Sequence, residues 1–247
     1  IRDSVASRGL GDVYKRQAWR LIYALKTLRD SSGKILIKNW YDDVVPLGKS
    51  DIEILKSFPF DEREFKKEFG IEEFLGKKNG LAVKKSLASE PTCNIAGIIS
   101  GYTGEGAKTV LPAEARVKID FRLVPNMNPK KQLMRLKRHL KEKGFEDIKI
   151  KVYHGEAAAR TSPNHPFVSD VISATQQSFG KYVLSVSSAG TGPMYAFTKI
   201  LHAPVIAVGS TYVFSRIHSP NEFTRIDLLK KATKCICIIM DNFSSSD

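Results

Sequence analysis

Cysteine is scarce in this 247-residue chain, with three in all. Cys93, Cys235 and Cys237 are too few for a disulfide framework and form no paired C-x-x-C metal site. They read as thiols of a reduced, cytosolic protein. No apolar run approaches the ~18 residues of a membrane span, which argues against a transmembrane helix. Acids are outnumbered, 26 against 39 Lys and Arg, and the net charge is +13. Such a balance raises the question of a nucleic-acid or acidic partner. The densest basic patch is Lys130, Lys131, Arg135, Lys137, Arg138, Lys141 and Lys143. It has no aromatic residue interleaved, so it does not make a stacking platform for single strands. Leu133, Leu136 and Leu140 lie at helical spacing inside it, and the stretch reads as a surface helix with a solvated basic face.

What is present fits one large or two modest domains, with an ordinary hydrophobic fraction of 42%. The most informative stretch is Thr92 to Met127. Asn94 to Ser100 is a short apolar run, broken by Gly101, Gly104 and Gly106. Ala115, Val117, Ile119, Phe121 and Leu123 then alternate with Arg116, Lys118, Asp120 and Arg122. A period of two predicts a strand with one buried face, and Pro125 stops it. Thr109 re-enters this strand with a free hydroxyl. Arg122 offers a planar fork of donors that matches a carboxylate. On spacing alone, both also read as an ordinary turn residue and a solvated strand residue.

Upstream, Trp19, Ile22, Tyr23, Leu25 and Leu28 form a helical stripe, ended by Ser31, Ser32 and Gly33. Asp43 to Asn79 is a charged excursion with two helical pieces, marked by Ile52, Ile54 and Leu55 and by Phe65, Phe69 and Phe74. The adjacent acids Asp42 and Asp43 read as solvated rather than as metal ligands. Leu81 to Glu90 reads as a helix ended before Pro91. Past the basic helix, with Gly144 as its cap, Ile148, Ile150 and Val152 suggest a strand. Helix, strand, strand, helix, strand is most of a split βαβ unit.

From Gly155 the character changes. His165-Pro166 opens a helix carrying Phe167, Val171, Ile172 and Phe179, capped by Gly180. Tyr182 to Val186 and Pro204 to Val208 read as buried strands. A helix runs from Met194 to Ile200. A last one runs from about Thr224 to Asn242, with Ile226, Leu229, Ile236 and Ile239 inward. Strands alternating with helices imply an α/β layer with parallel pairing. Two motifs here bear on chemistry. Ser187-Ser188-Ala189-Gly190-Thr191-Gly192-Pro193 offers backbone N–H groups at a helix start, an anion site or plain turn chemistry. His218, in R-I-H-S-P-N-E, falls on a loop where ligands of parallel sheets collect, although a lone histidine is also commonly structural.

The strings G-A-K-T-V-L-P and D-F-R-L-V-P-N-M resemble the lid-domain hairpin of the zinc-dependent aminoacylase, carnosinase and carboxypeptidase family. That family also holds acetylornithine deacetylase and succinyl-diaminopimelate desuccinylase. A-W-R-L-I-Y-A-L-K-T-L, G-K-I-L-I-K-N-W-Y-D-D-V, G-T-G-P and R-I-H-S-P-N-E carry the same likeness, nearest to the carnosinase-like, nonspecific-dipeptidase branch. It covers Ala18 to Phe243. The resemblance implies an α/β fold in two parts. Residues 18–155 would be a ferredoxin-like, split βαβ lid and dimerisation domain lacking its first strand. Residues 156–247 would be the C-terminal part of a zinc-exopeptidase catalytic domain. Residues 1–17 lack an initiator Met, a signal-peptide centre and any sustained period. Their S-R-G-L-G-D-V-Y-K-R-Q resembles a translated sequencing adaptor, and they are expected to stand outside the evolved fold.

By the same resemblance, Thr109 and Arg122 would grip the substrate's C-terminal carboxylate, Gly190, Thr191 and Gly192 would line the substrate turn, and His218 would be a zinc ligand. The family's two zinc ions need an H-x-D motif, a bridging Asp and a Glu-Glu pair that includes the general base. None has a counterpart here. The expectation is therefore a catalytically silent piece of a cytoplasmic, homodimeric dizinc hydrolase. That enzyme would cleave a peptide or amide bond next to a free carboxylate, as a dipeptidase or carboxypeptidase. An N-acyl amino-acid deacylase of the same family shares every motif. A non-catalytic dimerisation or binding module is the alternative from another class.

Overall fold

The computed structural model describes residues 16–108, 112–188, 190, 192–211 and 215–244. Its helices are α1 (Gln17–Lys26), α2 (Lys49–Ser57), α3 (Glu62–Phe69), α4 (Gly80–Ser89), α5 (Pro129–Glu142), α6 (Pro166–Phe179) and α7 (Ile226–Ser244). Two strands, β1 (Thr92–Ser100) and β2 (Ala115–Arg122), stand between α4 and α5. The fold is a mixed α/β one. The chain divides into two compact units, Ile1–Pro46 with Glu62–Ala158, and Leu47–Asp61 with Ala159–Asp247. Of the expected leader, residues 1–15 lie outside the described residues. Gln17 already begins α1, and the Arg16 carbonyl accepts from the Arg20 N–H at 2.8 Å.

In the first unit, β1 and β2 form an antiparallel hairpin in which Thr92 faces Arg122, Cys93 faces Phe121 and Ile95 faces Ile119. A bulge between Ile95 and Gly97 shifts the register. Directly opposed side chains share a face, so Cys93, Phe121 and Ile119 point to the core while Asn94, Asp120 and Arg122 point away. The core joins Ala24 and Leu28 of the α1 region, Ile35, Ile37 and Trp40 of the following turn, Cys93, Met127 and Leu140. Trp40 is 2% exposed and packs on Phe121 with ring centroids 4.9 Å apart.

Part of the expected stripe faces the core: Leu28 is buried in it and Leu25 packs against it. Trp19, Ile22 and Tyr23 are exposed instead, with Trp19 and Tyr23 stacked at 5.8 Å, and Leu21 and Ala24 are buried in their place. The helix is apolar on two sides, so periodicity alone could not choose between them. The turn after it is closed by Asp30, whose Oδ1 accepts from the Ser32 and Lys34 N–H groups, both at 2.9 Å. Gly33 there has φ 93, and a side chain would collide with Leu75.

Asn128 caps α5, its side chain accepting from Lys130 N–H at 2.9 Å and Lys131 N–H at 3.2 Å, with Pro129 in the first turn. Gly144 ends it at φ 77. Arg135 is not on the solvated face. Its side chain is 9% exposed and meets Asp43 at 2.6 Å, and Lys131 reaches the same carboxylate at 2.6 Å. Asp43 is thus an anchor for α5, not a solvated acid. His139 is also buried. The Thr27 hydroxyl donates to the Ala24 carbonyl at 2.7 Å, so it accepts from His139 Nε2 at 3.0 Å.

In the second unit α6 packs on α7 through Val168, Val171, Ala174, Ala232 and Cys235. Thr175 Oγ1 lies 3.6 Å from Cys235 Sγ. His165 caps α6 by accepting from the Phe167 N–H at 3.2 Å, and Gly180 ends it at φ 77. Asp51 accepts from the Gly48 N–H at 2.9 Å and pairs with Arg160. Thr161 Oγ1 both donates to the Val205 carbonyl and accepts from its N–H, at 2.8 and 2.9 Å. Most of the expected inner stripe of α7 faces outward: Ile226, Leu229 and Ile236 are half or more exposed, while Ile239 is half-buried. Ala232 and Cys235 turn inward in their place, and Cys235 meets Thr175 of α6.

The expected strands at Ile148–Val152, Tyr182–Val186 and Pro204–Val208 carry no ladder. Among the described residues the sheet is the antiparallel β1–β2 hairpin, and the parallel pairing expected after Gly155 forms no ladder. Alternation reports a preference for extended backbone, but a strand needs a partner within ladder distance. Val152, Tyr182 and Val183 accordingly stay about half exposed.

Candidate substrate-binding and metal residues

Arg122 ends β2 on the polar face of the hairpin. Its cross-strand partner is Thr92, and the Asn94–Asp120 pair is next on the same face. Arg122 Nε donates to Asp120 Oδ2 at 2.7 Å, and both side chains are about half exposed. Asn94 is fixed in turn, donating to Thr92 Oγ1 at 3.3 Å and accepting from Arg29 Nη1 at 3.3 Å. Arg29 also donates to the Cys93 carbonyl at 2.9 Å, which ties this face to the turn after α1. The result is a polar surface with two guanidinium groups and one carboxylate, open to water. It suits an anionic ligand. Sequence reasoning had found Arg122 but not Asp120, Asn94 or Arg29, which cross-strand register and a distant turn bring beside it.

The turn between the strands is held by Ser100 Oγ donating to the Glu114 carbonyl at 2.9 Å and by Tyr102 donating to the Glu105 carbonyl at 2.8 Å. Thr109 lies outside the described residues.

In the second unit, Thr191 also lies outside them. Gly190 is exposed, and its N–H donates to Ser188 Oγ at 3.2 Å. Ser185 Oγ donates to the Ser187 carbonyl at 2.8 Å. Gly192 precedes the expected helix at 194–200, whose last five residues, Ala196–Ile200, are wound as a π helix. Seven residues align few peptide dipoles, so no strong helix field reaches this turn.

His218 sits on an exposed loop closed by the Phe223 N–H donating to the Ser215 carbonyl at 3.1 Å. Within it the Ser219 N–H donates to the Arg216 carbonyl at 2.9 Å. Arg216, His218 and Asn221 hold positive φ, at 56, 62 and 61°. Such angles cost a non-glycine residue about 1 kcal/mol or more and gather at functional loops. The residues present do not make a metal site, however. Zinc takes about four ligands, and among the described residues no group of three or more His, Cys, Asp or Glu stands together. His218 alone does not fit the pair of ions that the family resemblance implies.

Residues 17–148 match the model of the M20 peptidase dimerisation domain, more than half of the chain. The chain belongs to the M20 peptidase family. The human Beta-Ala-His dipeptidase is 29% identical over 213 residues, covering 82% of this chain and 41% of that protein. The Cys-Gly metallodipeptidase of Candida albicans is 36% identical over 111 residues, covering 45% of this chain and 23% of its own length. Among solved structures, an M20 family metallo-carboxypeptidase from Sulfolobus solfataricus superposes with a TM-score of 0.83 at 34% identity, covering 94% of this chain and 53% of that one. Human carnosine dipeptidase 1 follows at TM-score 0.78 and 25% identity, covering 95% and 51%. The chain thus spans less than half the length of these sequence relatives and about half of the structural ones. These likenesses agree with the carnosinase-like branch to which the motifs pointed.

Proposed function

We propose that this M20 chain serves in a metal-dependent hydrolase that cleaves a peptide bond next to a free carboxylate, as a dipeptidase or carboxypeptidase. In this reading residues 18–155 are the lid and dimerisation domain, and residues 156–247 are the C-terminal part of the catalytic domain. The observation that carries it is Arg122, half exposed on the polar face of the family's dimerisation-domain hairpin. A guanidinium held by Asp120 at a strand end is set to take a substrate carboxylate in a charge-assisted pair. Thr109 would share that carboxylate. Gly190, Thr191 and Gly192 would border the rest of the substrate. His218 would give one ligand to a zinc site whose other ligands come from outside this chain. The working unit is a cytoplasmic homodimer joined through the lid.

The test is the metal content and substrate range of a full-length gene product. Two zinc ions per chain, with hydrolysis of free dipeptides but not of their C-terminal amides, are expected. N-acyl amino acids cleaved in preference to dipeptides would make it a deacylase instead. A metal-free product without hydrolase activity would leave only the dimerisation module.

A further inference from the structure

The helix α5 carries six Lys and Arg residues and one acid in 14 positions. The structure sorts these cations into two sets. Lys131 and Arg135 turn to Asp43, Lys131 from a half-exposed position and Arg135 from a buried one. Lys130, Lys137, Arg138 and Lys141 face outward, exposed, with Met134 among them at 60% exposure. Among the described residues no ion pair within 4 Å engages any of these four or Lys143 just beyond the helix.

The macrodipole does not explain this face. Lys130 stands in the first turn, where it disfavours cations and no acid stands, while Lys141 stands in the last turn, where it favours them. Lys137 and Lys141 repel each other one turn apart. A cluster of like charges that no ion pair among the described residues offsets is matched by an anionic partner.

We infer that the outer face of α5 docks an acidic segment of another polypeptide. The charges run from Lys130 to Lys141, about 16 Å along the axis, enough for three turns of a facing acidic helix. Met134 gives that segment an apolar seat at the centre. The exposed face has no aromatic side chain on which a base could stack, which sets nucleic acid behind an acidic peptide. The inference concerns a different surface from the hairpin and does not depend on catalysis.

The test measures binding of a labelled glutamate oligomer, about twelve residues long so as to span the face at ~1.5 Å per residue. It uses the full chain at an ionic strength of about 0.15 M. Lys137→Glu with Lys141→Glu is compared with Lys38→Glu plus Lys118→Glu, an equal charge change at exposed positions elsewhere in the same unit. The expected result is binding that weakens with salt, a loss on the order of tenfold in the α5 variant, and little change in the control. Far-UV dichroism should show both variants folded. Equal losses in the two variants would overturn the proposal, since net charge alone would then account for binding. So would no binding by the wild type, or tighter binding of a short DNA duplex than of the peptide.

Discussion

Removing the Asp43 carboxylate should destabilise the first unit far more than removing the exposed Lys131 beside it. In Asp43→Ala, two cations lose their shared partner. Lys131 is 49% exposed along its side chain and can return to water, which makes its share small, within ~1 kcal/mol. Arg135 is 9% exposed and cannot. A buried charge stripped of its partner costs about 3–5 kcal/mol. Asp42, 3.6 Å from Arg135, offers partial replacement, and Asp43 is itself 20% exposed. The net expectation is about 2–3 kcal/mol. Lys131→Ala should cost less than about 1 kcal/mol. Asp43→Ala with Arg135→Met should recover part of the loss, because it removes the orphaned charge while keeping the stem's packing. Urea unfolding followed by tryptophan fluorescence reads this unit directly. Trp40 is buried at 2% exposure, whereas Trp19 is 50% exposed and changes environment little. If Asp43→Ala and Lys131→Ala cost the same, or if the double variant were worse than Asp43→Ala alone, the buried-anchor argument would be wrong.

Burial, and then the neighbouring Lys143, push the His139 imidazole below its ordinary value. The unfolded chain therefore binds a proton that the folded one resists, and stability drops as pH falls below about 6.5. His139→Gln should flatten the melting-temperature profile between about pH 7 and pH 5. Asn128→Ala should cost about 1 kcal/mol, since two N–H groups of α5 lose their cap. The chain as it stands should retain no stoichiometric zinc after dialysis, because His218 has no assembled companions among the described residues. Tight zinc in the purified chain would contradict that.

The parts legible in the sequence were those set by local chemistry. Alternation over Ala115–Arg122 gave β2, and His165-Pro166 with Gly180 bounded α6. Leucines at helical spacing and Gly144 marked α5. What the sequence hid were choices made by tertiary neighbours. α1 and α7 are apolar on more than one side, so which side is buried depends on what packs there. In α7 the buried side is that of Ala232 and Cys235, not that of Ile226 and Leu229. Arg135 and Lys131 look alike in a basic run, and only the position of Asp43 separates a buried cation from a solvated one. Arg122 could be read from its strand and motif. Its holder Asp120, two residues away, and Asn94, across the sheet, needed the register.

The most direct test of the central claim is a set of kcat and KM values for Arg122→Ala in the full-length enzyme, on dipeptides with free and with amidated C-termini. A carboxylate grip is present in ground and transition state alike, so its loss should raise KM and spare kcat. A charge-assisted bidentate pair is worth roughly 2–4 kcal/mol, or about thirty- to a thousand-fold in KM for free dipeptides. Amidated dipeptides should be poor substrates of the wild type and nearly indifferent to the substitution. An equal loss on free and amidated substrates would contradict the account and return Arg122 to a structural role beside Asp120.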